Sequence, residues 1–428
     1  MKLRNLSLPI LSLIALFGVG AYASTVQVGS CALGYPQYPT ISAAVAAVPA
    51  NTIIDVCPGQ YAEQVTITQN LTIRGKSVGG EDAAVIVAPS GGVVQNATDV
   101  DTGEAIAAQI AVLGPGITVT LGDLTVDGTN NGITGCAPDL QGILYQTASG
   151  TISNVTVRNQ YLGSGLGGCQ SGEGIYVQTA SGGASVVTVT DASVHGYQKN
   201  GITGNDTGTT LTVKSSRVQG FGVVQYPNAA QNGIQLAFGA QGTVETNFVA
   251  DNVYADTAVA IATGILLYDT ANGAGIQVNS NIVANSQGAV VLYTGQDDGA
   301  ANLGNGVTAN SNNIFATVNY DAIDVCTNGN TINDNKIYDS SQSGIHMDGS
   351  CSSYGSEATG NNNGATGNTI TESGCAGVLV DSGTTGDSIG TNTYYDDPST
   401  VLNGACSDSR AQHATGTHHK LYSPKGRK

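Results

Sequence analysis

The stretch that decides the fold is Tyr38–Gly75, which reads YPTISAAVAAVPANTIIDVCPGQYAEQVTITQNLTIRG. Thr40 is a favoured helix N-cap residue, and the apolar residues after it follow an i, i+3, i+4, i+7 spacing, which predicts a short amphipathic helix. Pro49 has no N–H for the helical ladder, so the helix ends before it. Three short β-rich runs follow, broken by Pro58-Gly59 and Gln69-Asn70. A short helix followed by very short strands with tight corners is typical of the first coil of a solenoid.

This stretch resembles the first coils of pectin-lyase-like right-handed parallel β-helix proteins, pectinesterases especially. The residues that carry the resemblance are Tyr38, Thr40, Ile41, Ala44, Val45, Pro58, Gly59, Tyr61, Glu63 and Gly75. The resemblance implies an all-β, single-stranded right-handed parallel β-helix with a short N-terminal capping helix. The Trp-containing motifs of pectinesterases and pectate lyases do not occur, because the chain has no Trp. The resemblance therefore indicates an architecture and leaves the reaction open.

A diffuse repeat supports the solenoid. Its unit is a β-rich run, a polar turn and then a Gly-Ile pair or a near equivalent, and successive pairs are 22 to 33 residues apart. Such periods indicate stacked supersecondary units. The apolar members of these pairs are Ile175, Ile202, Ile234, Ile265, Val290, Ile323, Ile345 and Val378. We expect them to stack as one buried column.

A second β-rich run precedes each pair. It contains Val157, Val194, Val218, Val253, Ile282, Ile314, Ile337 and Ile370 in turn. These residues are predicted to form a second aliphatic column, one residue per coil. The Asn residues beside them are predicted to stack as amide ladders that satisfy the corners of the coils.

Residues 1–23 have the features of a secretory signal peptide: a basic start, an apolar run and a small-x-small cleavage site at Ala21-Tyr22-Ala23. We expect residues 24–406 to form a single β-helix domain. Residues 407–428 are basic and aperiodic, which predicts a disordered tail. The protein is therefore expected to be secreted, to an extracellular or periplasmic location, without a membrane span.

The composition restricts the partners. The chain contains 14 Lys and Arg against 31 Asp and Glu, a formal net charge of −17. An acidic surface repels nucleic acid and other polyanions unless a cation bridges them. We therefore expect no nucleic-acid partner. The protein is also expected to be a monomer, and its expected partner is an extracellular polysaccharide.

All eight cysteines lie after the signal peptide, and an even number in an exported chain indicates disulfides. Pairing of neighbours along the chain predicts Cys31–Cys57, Cys136–Cys169, Cys326–Cys351 and Cys375–Cys406. The first and last of these pairs would close the two ends of the solenoid, where such folds fray.

The repeat also predicts a functional face. If the Ile of each pair points inward, the residues one and three positions later point outward, and coils lie about 4.8 Å apart. This alternation brings Asp324, His346, Asp348 and Asp381 together on one outer face, as candidate catalytic residues. Tyr268, Tyr293 and Asp321 extend the face as candidate substrate-binding residues.

Several functions fit such a face. Paired carboxylates can act as acid and base or nucleophile on a glycosidic bond, and tyrosine rings stack on sugars. Alternatively, Asp324, Asp348 and Asp381 are candidate Ca²⁺ ligands, by analogy with the pectate lyases of the resembled superfamily. A lyase also needs a base, and Lys336 is the nearest lysine in the pattern. The remaining alternative is a non-catalytic surface or matrix scaffold, adhesin-like in character, so the sequence leaves open whether the protein is an enzyme.

Overall fold

The computed structural model describes residues 24–76, 83–255, 260–273, 275–294, 304–349 and 360–406. The predicted signal peptide, the predicted tail and Cys351 lie outside these residues. Within them the chain winds through three long sheets, and each coil contributes one strand to each sheet in turn. All pairings along the three sheets are parallel, so the molecule is a parallel β-helix, as predicted.

The first sheet has fourteen strands in the described part of the chain. In stacking order they are Gln37–Tyr38, Thr25–Val28, Thr52–Val56, Leu71–Gly75, Thr118–Gly122, Ser149–Ser153, Ser185–Thr190, Thr209–Lys214, Gln241–Glu245, Gln277–Asn279, Thr308–Asn310, Thr331–Asn333, Gly364–Thr366 and Ser388–Ile389.

The second sheet has twelve strands among the same residues. They are Gly59–Ala62, Ala84–Val87, Thr125–Asp127, Thr156–Arg158, Ser193–His195, Arg217–Val224, Phe248–Tyr254, Ile282–Ala284, Asn313–Thr317, Lys336–Ser340, Thr369–Thr371 and Thr393–Tyr395.

The third sheet carries the candidate functional face. Its parallel strands are Val65–Ile67, Ala105–Leu113, Asp139–Gln146, Glu173–Gln178, Asn200–Asn205, Asn232–Ala237, Thr263–Tyr268, Gly288–Tyr293, Ile323–Val325, Ile345–Met347, Val378–Val380 and Val401–Asn403. One further strand, Ala97–Thr98, pairs antiparallel with Ala105–Leu113.

The Gly-Ile column stacks as predicted. Ile175 pairs with Ile202, and the pairing continues in register through every coil to Val378. All of these side chains are buried in one core cluster that extends from Val26 to Val378 inside the solenoid. Aliphatic contact between successive coils therefore replaces the core of a globular domain.

The second aliphatic column is correct except at two coils. Val249 and Val283, not Val253 and Ile282, continue the stack from Val218. Val283 is fully buried, whereas Ile282 is 41% exposed. The reason lies in the corner residues: in each of these coils the side chain two positions after the corner Asn points inward, and Ile282 is only one position after it.

The corner between the first and second sheets carries the predicted amide ladder. Each Asn side chain donates from Nδ2 to Oδ1 of the next Asn at 2.9–3.0 Å. The ladder consists of Asn247, Asn281, Asn312, Asn335, Asn368 and Asn392. Because five of these side chains are also buried, the ladder satisfies polar groups that the turns would otherwise leave without partners.

The helix Ile41–Ala47 closes the N-terminal coil. Thr40 is its N-cap, and the Thr40 Oγ1 accepts from the backbone N–H of Ala43. The Glu63 carboxylate accepts from the backbone N–H groups of Ile41 and Ser42, each at 2.8 Å. An anion at a helix N-terminus satisfies N–H groups and complements the helix dipole. The Glu63 that carried the family resemblance therefore has a structural role here.

Three predicted disulfides are present: Cys31–Cys57, Cys136–Cys169 and Cys375–Cys406. The first and third join segments at the two ends of the coil stack. The Cys326–Cys351 pairing stays a prediction, since Cys351 is not described. None of the described residues lies in a helix long and apolar enough to cross a membrane.

Candidate functional site

The structure brings the predicted acidic residues together on the side of the third sheet that faces away from the core. Asp324 pairs in register with His346 on the next coil, and His346 pairs with Leu379. Asp348 and Asp381 directly follow the strands that end at Met347 and Val380, which are themselves paired. Together with Asp321, these residues form what we call the Asp–His cluster: Asp321, Asp324, His346, Asp348 and Asp381.

The cluster is not the open surface that the alternation predicted. Asp321, Asp324, His346 and Asp348 are at most 4% exposed, and only the Asp381 side chain, 22% exposed, reaches solvent to an appreciable extent. Large side chains on coils about 4.8 Å apart fill the gaps between one another. Residues of the turns before the strands, such as Tyr320, also pack over this side of the sheet. The expectation of an exposed face is therefore wrong for most of the cluster.

Asp321 fixes the orientation of the histidine. One oxygen, Oδ1, accepts from the backbone N–H of Ser343 at 2.6 Å, and the other, Oδ2, lies 3.0 Å from His346 Nδ1. With both oxygens engaged, Asp321 holds the imidazole so that Nε2 points toward Asp381. The distance between His346 Nε2 and Asp381 Oδ1 is 3.2 Å.

Asp324 and Asp348 lie next to each other in the buried part of the cluster. The Tyr320 hydroxyl donates to Asp324 Oδ2 at 2.6 Å, and Cys326 Sγ lies 3.8 Å from both Asp324 Oδ1 and Asp348 Oδ2. Burial, followed by the charge of Asp348, raises the pKa of Asp324 well above its usual value. This carboxyl group is therefore suited to hold a proton at a pH where ordinary aspartates are ionised.

The pKa of His346 is shifted in the direction opposite to the one that burial alone would produce. Burial alone would lower the pKa of His346, but the carboxylates of Asp321 and Asp348 and the contacts with Asp321 and Asp381 raise that pKa well above its usual value. The cluster thus combines a carboxyl group that favours its proton and an imidazole that favours positive charge. Paired groups of this kind are typical of acid–base sites.

Asp381 is positioned by a glycine that the sequence pattern does not single out. The backbone N–H of Gly349 donates to Asp381 Oδ2 at 3.3 Å. A Cβ atom at position 349 would lie 2.9 Å from the Asp381 Cβ, closer than real Cβ contacts. A side chain at position 349 would therefore displace Asp381. The Asp348-Gly349 pair was the available sequence signal, since glycine after a functional residue permits close backbone approach.

Tyr320 is the other contributor that the repeat does not reveal. It lies in the turn before the strand Ile323–Val325, outside both outward columns, and yet its hydroxyl contacts Asp324. Burial, followed by the neighbouring carboxylates with Asp324 first, raises the Tyr320 pKa well above its usual value, so this phenol stays protonated and donates. Turn residues follow no fixed period, so alternation along strands cannot predict their positions.

The predicted sugar-binding tyrosines are in register but buried. Tyr268 pairs with Tyr293, their ring centroids are 5.3 Å apart, and both side chains are at most 5% exposed. They belong to an apolar cluster that also contains Leu266, Val291 and Tyr320. In this arrangement the two rings pack on protein, and they extend the Asp–His cluster as an apolar neighbour.

Two other expectations can be compared with the structure. Lys336 lies on the second sheet with its side chain exposed, on a different face of the solenoid from the Asp–His cluster. The cluster in which the Ca²⁺ ligands were predicted has an imidazole at its centre. Ca²⁺ prefers six to eight oxygen ligands. The residues of the cluster therefore fit Ca²⁺ poorly.

No protein-family model and no curated protein matches the sequence. Solved structures do match the fold. The mannuronan C-5 epimerase AlgE4 A-module of Azotobacter vinelandii superposes with a TM-score of 0.51 at 13% identity, over 85% of this chain and 93% of the epimerase module. The lacto-N-biosidase of Eubacterium ramulus, assigned to family GH136, superposes with a TM-score of 0.51 at 11% identity, over 88% of this chain and 68% of the biosidase. The protein thus has the fold of a right-handed parallel β-helix.

Proposed function

We propose that this protein binds and cleaves an extracellular polysaccharide at the Asp–His cluster. The observation that carries the proposal is the grouping of four aspartates and a histidine from successive coils on one side of the third sheet. A carboxyl group with a raised pKa and a second carboxyl group beside it are the two components that glycoside chemistry requires.

Carboxyl groups from neighbouring coils lie close together in the cluster. Donor atoms of Asp324 and Asp348 lie within 4.8 Å of each other, and so do those of Asp348 and Asp381. Retaining glycosidases hold their two carboxyl groups about 5–5.5 Å apart, whereas inverting enzymes leave about 6.5–9.5 Å for a water molecule. A glycosidase acting through carboxyl groups this close together would retain the anomeric configuration, which the configuration of the product tests.

Access decides which residue meets the glycan. Asp381 has the most exposed side chain of the cluster, whereas Asp324 and Asp348 are completely buried. The glycan would therefore approach from the side of Asp381, and the buried carboxyl groups become accessible only if the covering side chains move.

The compared structures support the proposal at the level of substrate class. The epimerase and the biosidase that share the fold are both named for acting on carbohydrates. The three disulfides support export, since such bonds persist in oxidising compartments.

The test is a glycan panel assayed for binding and for product, with the wild-type chain and the variants Asp324→Asn and Asp348→Asn. Because positioned acid–base groups contribute about 10²–10⁴-fold to rate, we expect each variant to lose at least about 100-fold in kcat/KM. Circular dichroism and the melting temperature would establish that both variants are folded.

Unchanged turnover in both folded variants would refute the site. If the wild-type chain neither binds nor cleaves any glycan in the panel, the non-catalytic scaffold becomes the better account.

A further inference from the structure

We infer that His346, Asp348 and Asp381 form a binding site for a divalent transition-metal ion of the Zn²⁺ type. The first observation is geometric. Each of the three residues offers one donor atom, and these atoms lie within 4.8 Å of one another. Imidazole nitrogen and carboxylate oxygen are both ordinary zinc ligands.

The second observation concerns the ring nitrogens of His346. His346 Nε2 is buried and faces Asp381 Oδ1 at 3.2 Å, and the described residues offer it no other partner. Nδ1 of the same ring contacts Asp321. An anionic oxygen this close to Nε2 requires either a proton on that nitrogen or a cation between the two atoms, and a bound metal ion would take the place of the proton.

The distance between these two atoms fits an ion. With bonds of about 2.0–2.2 Å, two ligands in a tetrahedral zinc site lie about 3.4 Å apart. The observed 3.2 Å between Nε2 and Oδ1 is close to this separation. A donor atom of Asp348 lies within 4.8 Å of the other two, so Asp348 would complete a three-ligand site and leave a fourth position open to water or substrate.

The surroundings of the three ligands hold them in place. Asp321 contacts the second ring nitrogen of His346 and is itself fixed by the backbone N–H of Ser343. Gly349 N–H contacts the second oxygen of Asp381. Partners of this kind orient metal ligands, and their loss typically costs 10–100-fold in metal affinity.

The donor set also separates the candidate ions. A nitrogen ligand suits Zn²⁺ and other transition ions, whereas Ca²⁺ is bound by oxygen. A metal ion would also offset the negative charge of several aspartates buried together. The inference does not rest on the proposed function, because an ion could bind here whether or not a glycan does.

The experiment measures zinc bound to the full chain after treatment with a chelator. His413, His418 and His419 are replaced by alanine in every sample, because these histidines offer competing ligands. We expect one Zn²⁺ per chain by elemental analysis and calorimetry, and no displacement by excess Ca²⁺. In the same background, His346→Gln should lose at least about 100-fold in affinity and Asp321→Asn about 10–100-fold, whereas the control His195→Gln should bind as before.

Absence of bound zinc, or unchanged affinity in His346→Gln, would overturn the inference and leave an imidazolium–carboxylate pair as the explanation. If His346→Gln does not fold, anomalous diffraction from zinc-soaked crystals of the parent chain decides, since the ion must appear between Nε2 and Oδ1. Zinc bound without glycan turnover would refute the proposed function alone. Turnover that persists in a chain shown to bind no zinc would refute this inference alone.

Discussion

At the scale of single residues, hydrogen bonds across coils set the charge of individual carboxylates. Arg158 Nε donates to Asp127 Oδ2 at 2.8 Å, and Thr129 and Asn159 donate to Asp127 Oδ1. Burial alone would raise the pKa of Asp127, but these donors outweigh it and lower the pKa to about 2. The Asp127 carboxylate therefore stabilises the folded chain in its ionised form.

This interaction predicts a pH dependence of stability. Because the folded pKa lies below the unfolded value, the stabilisation is present above pH 3.8 and is lost as the pH falls toward 2. The free energy of unfolding should fall between about pH 5 and pH 2. With partial solvent screening allowed for, this fall should be smaller by about 1 kcal/mol in Asp127→Asn than in the wild-type chain. Urea denaturation at the two pH values measures it, with Asp191→Asn, at an exposed position, as control. An unchanged difference would contradict the role of Asp127.

The residue scale also shows what alternation can predict. It placed Asp324, His346 and Asp348 in the correct columns, because the period of a strand is fixed by backbone geometry. It could not predict their burial, since that depends on turn residues such as Tyr320. Gly349 was missed for a similar reason: its contact with Asp381 joins two coils 32 residues apart in sequence.

At the scale of structural elements, the corner ladder specifies the register of the coils. The Asn312 carboxamide accepts from the backbone N–H and the Nδ2 of Asn281, and it donates to Val278 O and to Asn335 Oδ1. All of the side-chain atoms involved are buried. The ladder was predictable from the Asn residues beside each β-rich run. The number of residues between each ladder Asn and the next inward-pointing side chain was not. The errors at Val253 and Ile282 arose because the inward position was not counted from the ladder Asn.

The ladder makes Asn312 sensitive to substitution. Asn312→Ala leaves buried partners on two neighbouring coils without hydrogen bonds, and each such group costs about 1–3 kcal/mol. We expect a loss of about 3 kcal/mol in the free energy of unfolding, measured by chemical denaturation. The control Asn310→Ala, at a partly exposed position on the adjacent strand, should change it by less than about 1 kcal/mol. Equal effects of the two substitutions would argue against the ladder.

At the scale of the whole molecule, the solenoid turns a sequence repeat into a spatial alignment. Residues that are 22 to 33 positions apart, such as Asp324, His346 and Leu379, become neighbours because each coil advances by one strand spacing. The capping helix, the stacked column and the position of the candidate site all followed from the sequence. The burial of the outer face could not be predicted from the sequence, because it depends on which turns pack across the third sheet.

The central claim, that the Asp–His cluster acts on a polysaccharide, is tested most directly at Asp381, its most exposed member. The measurement is kcat/KM of Asp381→Asn on the best glycan of the panel, beside the control Asp339→Asn on the exposed side of the second sheet. We predict a loss of at least about 100-fold for Asp381→Asn and wild-type turnover for Asp339→Asn. Wild-type turnover in a folded Asp381→Asn variant would contradict the account.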